Sequence, residues 1–136
     1  MTEIFAQRIF ILDNDLFSLT INKQLLKNLG CTDVTKFDNE IDFFRKLYQQ
    51  PRVVLLDYRT NPQKGLEVLK AIKELQPETY VVFIAGASGV LEALYSLHYG
   101  AFEYIIKDKR YAAVVELVMN NMQHMEMLIY KSNGRK

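Results

Sequence analysis

Short apolar runs rich in β-branched and aromatic residues alternate along the chain with longer stretches in which apolar residues recur every three or four positions. The first pattern marks buried strands and the second amphipathic helices. Strands are expected at about Arg8 to Leu12, Asp33 to Phe37, Val53 to Leu56, Tyr80 to Ala85 and Phe102 to Ile106. Helix one carries Ile21, Leu25 and Leu29 at i, i+4, i+8, and Gly30 stops it as a left-handed cap. Helix two runs from about Asn39 to Gln49 and breaks before Pro51, while helix three sets Leu66, Leu69 and Ile72 on one face and ends before Pro77. Helix four, about Ser88 to Tyr99, is expected to bury Val90, Leu91, Leu94 and Leu97, with Gly100 closing it. The last helix starts near Lys109 and places Val114, Val118, Met122, Met125 and Ile129 on one stripe, continuing to about Tyr130.

Five strand–helix units in strict alternation imply a parallel sheet covered on both faces, joined by right-handed crossovers. The predicted fold is therefore α/β, a single flavodoxin-like (βα)5 domain. Its order, 2-1-3-4-5, is taken from that class of doubly wound sheets and puts strands one and three at the switch point. The last helix would exceed 30 Å at roughly 1.5 Å per residue, against about 17 Å for a five-residue strand. Its final turns are thus expected to project beyond the sheet, toward a partner chain or an output domain, with Ser132 to Lys136 as a frayed end.

The polar residues that end the apolar runs carry the candidate chemistry. Asp57 closes Val53-Val54-Leu55-Leu56, Asp13-Asn14-Asp15 closes the first run, and Lys107 closes the last. If these runs are parallel neighbours, acids and an amine converge at the carboxyl edge of the sheet, where open α/β sheets build their sites. That set suits moving a phosphoryl group onto a carboxylate with a divalent cation.

Composition narrows the picture. The chain has 136 residues, 49% of them hydrophobic, which suits one domain with a real core. Its 17 basic and 16 acidic residues leave a net charge of +1, so no direct nucleic-acid binding is expected. The cluster Lys107-Asp108-Lys109-Arg110 reads as a solvated loop. No membrane span or signal peptide is visible, which gives a cytoplasmic reading. Cys31, the one cysteine, reads as a small buried hydrophobe beside Gly30, and His98 and His124 lack partners at zinc spacing. The segment Ala85-Gly86-Ala87-Ser88-Gly89 has the small residues of a phosphate cradle but no Gly-Lys-Ser/Thr ending, so nucleotide binding is rejected.

Three segments together, Ile9 to Asp15, Val53 to Asp57 with Gly65, and Gly100 to Lys107, resemble the receiver domain of two-component response regulators. The similarity covers about residues 8 to 124. It implies that Asp57 accepts a phosphoryl group from a histidine kinase or phosphotransfer protein, with Mg2+ as cofactor. Asp13, Asn14, Asp57 and the backbone carbonyl of Arg59 would hold the metal. Lys107 would contact the phosphoryl group, and Ala85 and Tyr104 would occupy the switch positions. The family implies no enzyme beyond self-phosphorylation and slow self-dephosphorylation. Helix four, strand five and helix five would carry output or homodimer contacts, with Tyr95, Tyr99 and Tyr111 on that surface.

Several positions depart from the family pattern. Asn14 stands where an acid is usual, and Asp15 either compensates for it or caps helix one. Ala85 replaces the Thr or Ser whose hydroxyl normally meets the phosphoryl group, while Ser88 is either recruited for it or caps helix four. Asp108 replaces the proline after the lysine, Pro62 lies one place late, and Lys64 precedes Gly65. Three functions therefore stand side by side: a phosphorylatable receiver, a pseudo-receiver signalling by contact alone, and a haloacid-dehalogenase-type phosphotransferase that would use Asp13-Asn14-Asp15 as its D-x-D motif. The last would want further acids after strand four, where Ala85-Gly86-Ala87 stands.

Overall fold

A computed structural model describes residues 3–134. Five parallel strands, β1 (Arg8–Asp13), β2 (Asp33–Phe37), β3 (Val53–Asp57), β4 (Tyr80–Ala85) and β5 (Glu103–Ile106), form one sheet in the order β2-β1-β3-β4-β5. The helices are α1 (Leu16–Asn28), α2 (Glu40–Lys46), α3 (Pro62–Leu75), α4 (Val90–His98) and α5 (Tyr111–Gly134). The predicted fold and strand order are both present.

Strand side chains alternate between two cores, as the period of two requires. Ile9, Ile11, Val53, Leu55, Val82, Ile84 and Ile105 pack with α1 and α5, and Cys31 joins them. Phe10, Leu12, Val54, Leu56, Val81, Phe83 and Ala85 pack with α2, α3 and α4. Burial on both sides explains why these strands read as continuous apolar runs. Gly30 and Gly100 each adopt φ of 100°, the left-handed cap expected of them. Asn39 caps α2 by accepting from Asp42 N at 2.8 Å, and a 3-10 turn at Leu47–Gln49 completes the stretch expected as one helix. Pro62 takes the first position of α3 behind the Asn61 cap, which accounts for its displaced place in the sequence.

Three expectations need correction. Helix four does not bury its large residues: Val90, Leu91, Leu94 and Leu97 are exposed, while Ala93 and Ser96 are fully buried with Gly89 at the helix start. The helix seats its small side chains against the sheet at i, i+4 and i+7 so that the backbones approach closely. The Ser96 hydroxyl is satisfied within the helix, donating to Ala93 O at 2.6 Å. Helix one likewise turns Ser18, Leu19, Asn22 and Leu26 inward and leaves Ile21 exposed. In α5 the buried stripe is Tyr111, Val115, Val118, Met119 and Met122, so Tyr111 is core rather than surface, and Met125 and Ile129 lie exposed.

The last helix is 24 residues long, about 36 Å, so it outruns the sheet as expected. The end expected to fray from Ser132 is helical through Gly134, and residues 135 and 136 lie outside the described residues. Its shaft is fastened at the amino edge of the sheet. Gln123 Oε1 accepts from Ile4 N at 2.6 Å, and Glu126 pairs with Arg52. The Arg52 guanidinium also lies 4.5 Å from the centre of the Tyr80 ring and donates to Glu78 O.

The inverted packing of α4 predicts unequal mutational costs. Ala93→Leu forces extra methylenes into a closed contact and should cost about 1 to 3 kcal/mol, whereas Leu94→Ala should stay within about 0.5 kcal/mol. Urea unfolding midpoints of the two variants check this, and equal costs would refute the packing described.

Candidate functional site

Strands β1 and β3 pair in register through their last residues, so Asp13 stands directly opposite Asp57. Each strand runs one residue further than expected, which places both carboxylates on the sheet edge itself rather than in the following loops. Both are 2% exposed. Asp13 Oδ1 accepts from Asp15 N at 2.9 Å, while its Oδ2 is buried without a hydrogen-bond partner. Asp57 Oδ1 accepts from Arg59 N at 3.2 Å and from Arg59 Nε at 3.0 Å, and its Oδ2 is also buried and unpartnered. These two orphan oxygens are a cost to folding, and such costs persist where a ligand uses them.

Lys107 arrives from the end of β5, held there by its backbone N donating to Ala85 O at 2.8 Å. Its Nζ lies 3.8 Å from Asp57 Oδ2, an ion pair too long for a hydrogen bond. The amine instead donates to Ser18 Oγ at 2.9 Å and sits 4.7 Å from the centre of the Tyr111 ring. The Tyr111 hydroxyl donates in turn to Asn22 Oδ1 at 2.6 Å, so a buried polar group behind the lysine joins α1 to α5. Ser18 and Asn22 were not singled out in the sequence, where they look like ordinary helix residues.

Asp15 caps α1, accepting from Phe17 N at 3.0 Å and Ser18 N at 3.4 Å. Its Oδ2 lies 3.8 Å from Arg59 Nη2. Asn14 is exposed beside it on the rim. The family resemblance marked Arg59 only for its carbonyl, yet its side chain folds back over Asp57 and is the nearest cation to it. Asp13, Asn14, Asp15, Asp57, Arg59 and Thr60 line a half-open pocket of about 40 Å³. Among the described residues no group of three or more His, Cys, Asp or Glu side chains could hold a metal, so the buried carboxylate pair is the acid set available.

On the far side of the site Ala85 is fully buried and presents a methyl group. Ser88 lies exposed in a 3-10 turn at Ala87–Gly89, and no side chain caps α4, so the capping role considered for it is not found. Tyr104 is half-buried against the second core. Gly65 has a packing reason: a Cβ there would come within 2.9 Å of Tyr58 Cβ and 3.0 Å of the Phe83 ring. Lys64 pairs with Glu40 and Glu67 at 3.7 Å, away from Asp57.

Burial is the first cause that pushes the Asp57 carboxyl up to about 6, with the Asp13 charge adding to it and Arg59, Lys107 and the Arg59 backbone N–H opposing. Burial also pulls the Lys107 ammonium down, against the pull of Asp57.

The fold and site define a doubly wound α/β domain with two buried acids and a lysine at the carboxyl edge of its sheet. The chain belongs to the response regulator receiver domain family, whose model matches residues 9–119. It is 32% identical over 100 residues to the transcriptional regulatory protein ZraR of Klebsiella oxytoca, covering 73% of this chain and 22% of that protein. It is 28% identical over 119 residues to the DNA-binding transcriptional regulator NtrC of Escherichia coli K12, covering 87% of this chain and 25% of NtrC. The chain thus spans about a quarter of the length of these curated relatives. Among solved structures, a receiver domain protein of Clostridium thermocellum superposes with a TM-score of 0.77 at 23% identity, covering 90% of this chain and 98% of that one. NtrX of Brucella abortus does so at 0.82 and 23%, covering 96% of this chain and 30% of that one. These likenesses show the fold.

The raised Asp57 pKa carries a stability consequence. The native state holds this proton more tightly than the unfolded chain, so the associated stability is fully present below about pH 4 and is lost as pH climbs through about 6. Asp57→Asn should therefore stabilise the domain on the order of 2 to 3 kcal/mol above about pH 7, with the gain shrinking toward about pH 4. Urea titrations across that range test it; a gain independent of pH would contradict it.

Proposed function

We propose that this domain is the phosphoacceptor of a two-component relay, with Asp57 taking a phosphoryl group from the phosphohistidine of a histidine kinase or phosphotransfer protein. Asp57 Oδ2 carries the reading. It is a buried carboxylate oxygen with no hydrogen bond, 3.8 Å from the Lys107 amine and bordering the cavity that Asp57 shares with Asp13. Attack by such an oxygen on phosphorus forms the acyl phosphate as the P–N bond to the donor imidazole breaks. Lys107 needs only to leave Ser18 for its amine to meet a phosphoryl oxygen.

The residues suit magnesium. Mg2+ binds through one or two carboxylates and keeps several waters, and Asp57 Oδ1, the oxygen that does not attack, and the orphan oxygen of Asp13 are such a pair. The Arg59 carbonyl and the Asn14 side chain on the rim would complete the set. When bound, the ion would neutralise charge between the carboxylate and the incoming phosphoryl group.

In this reading the domain is a substrate of phosphotransfer in the cytoplasm, not an enzyme in its own right beyond self-phosphorylation and slow self-dephosphorylation. Leu16 and Phe17, exposed beside the acids at the start of α1, offer an apolar landing face to the donor. The exposed apolar residues of α4, with β5 and α5, would meet an output domain or a second copy, in keeping with the much longer regulators to which the chain is similar. A second reading, signalling by contact without phosphorylation, draws on the Ala85 methyl group where a hydroxyl would report the phosphoryl group.

Acetyl phosphate with Mg2+ should add one phosphoryl group, seen by intact mass, and Asp57→Asn should abolish the addition; unchanged labelling of that variant would sink the assignment. The conformational response is expected to be weak. A hydrogen bond to a charged group contributes about 1.5 to 3 kcal/mol, so its lack at Ala85 cuts the population shift by about one to two decades. Amide NMR spectra with a beryllofluoride mimic should change little through α4 and β5, and Ala85→Thr should restore the change. Large shifts in the native protein, equal to those of the variant, would contradict this.

A further inference from the structure

We infer that the Arg59 guanidinium is a built-in cation that closes the acid pocket, and that a divalent cation must displace it before Asp57 can react. The inference rests on the phosphoacceptor reading and specifies how its site is regulated.

Arg59 makes three contacts on the acids. Its backbone N and Nε both donate to Asp57 Oδ1, at 3.2 and 3.0 Å, and its Nη2 lies 3.8 Å from Asp15 Oδ2. The side chain therefore spans the mouth of the pocket from β3 to the start of α1. A guanidinium keeps its charge at any working pH, and its planar fork matches carboxylates. On Asp57 it holds Oδ1, the oxygen of that carboxylate left for a metal when Oδ2 attacks.

Space makes the same point. The cavity between Asp13, Asn14, Asp15, Asp57, Arg59 and Thr60 is about 40 Å³, room for a few waters at most. Magnesium demands octahedral coordination and gives up its waters reluctantly, and a phosphodonor must enter beside it. A hydrated ion that approached Asp57 Oδ1 through this half-open pocket would meet the guanidinium already hydrogen-bonded there. The lining offers one easy movement. Asp13, Asp57 and the strand backbone are buried, whereas the Arg59 side chain is 31% exposed and can swing into solvent. Asp15 would lose only its longer ion pair, because its carboxylate also receives the first N–H groups of α1.

Displacement differs from simple repulsion in what it does to Arg59. Lys107 also opposes a metal through its charge, but its amine is held by Ser18 and it covers the other carboxylate oxygen. Removing the Arg59 charge at a few ångströms should tighten metal binding by at least about tenfold, the scale of a charge interaction near a protein surface.

The test is a titration of the intact domain with magnesium chloride alone, read by NMR on backbone amides at the ends of β1 and β3 and on the Arg59 Nε–H resonance. Displacement requires that the Nε–H signal move to its free position with the same midpoint as the amides. Arg59→Gln should bind Mg2+ at least about tenfold more tightly, and Arg59→Lys should fall between the two. An Nε–H signal unchanged at saturating Mg2+, or equal or weaker affinity in Arg59→Gln, would overturn the inference. Acetyl phosphate labelling of the same proteins tells the two failures apart. If Asp57 is labelled while Arg59 stays in place, only the displacement falls; if no protein binds Mg2+ or is labelled, the phosphoacceptor reading falls and takes this one with it.

Discussion

Two aspartates face one another across adjacent parallel strands, both out of water, and the rest of the site answers that juxtaposition. Like charges in a buried register pair repel, and the conflict is eased by a proton, by cations nearby or by hydrogen bonds to the charged oxygens. The fold supplies three partial answers: the backbone N–H groups of Asp15 and Arg59, the guanidinium of Arg59 and the amine of Lys107. None of them reaches the two Oδ2 atoms by a hydrogen bond. What remains is a pair of unpartnered oxygens held on a rigid edge, since the ladder that creates the conflict also prevents the acids from moving apart.

The sequence announced this edge because its strands are buried on both faces. Continuous apolar runs end abruptly in charge, and in a parallel sheet all such ends fall on one side, so Asp13, Asp57 and Lys107 could be placed on one edge, and the strand order taken from the fold class brought them together. Caps at Gly30 and Gly100 were legible for an equally local reason, the absence of a Cβ. Arg59 was not legible as a side chain. Whether a residue two places past a strand end points away or folds back depends on the turn, and nothing in the residue types of 58 to 60 states that turn. Ser18, Asn22 and Tyr111 were hidden because their meeting depends on how α1 and α5 rotate on the sheet.

The orientation of α4 failed as an expectation for a more general reason. Hydrophobicity names a face only when size and burial run together, and here the small residues Gly89, Ala93 and Ser96 face inward while the leucines face out. The result leaves Leu91, Leu94 and Tyr95 outside, beside a strand-four terminus that ends in a methyl group. Chemistry and exposed surface thus flank β4, while the hydroxyl that would join them in the family pattern is missing.

The fastening of α5 near Gln123 and Glu126 reaches beyond the domain itself. A rod anchored at Tyr111 beneath the lysine and again at Arg52 across the sheet has no free pivot between those points. Only the residues from about 127 to Gly134 overhang, roughly 12 Å of helix. A chain joined to that overhang would depart along a bearing set by the sheet, as from a surveyor's mount that fixes direction and reach.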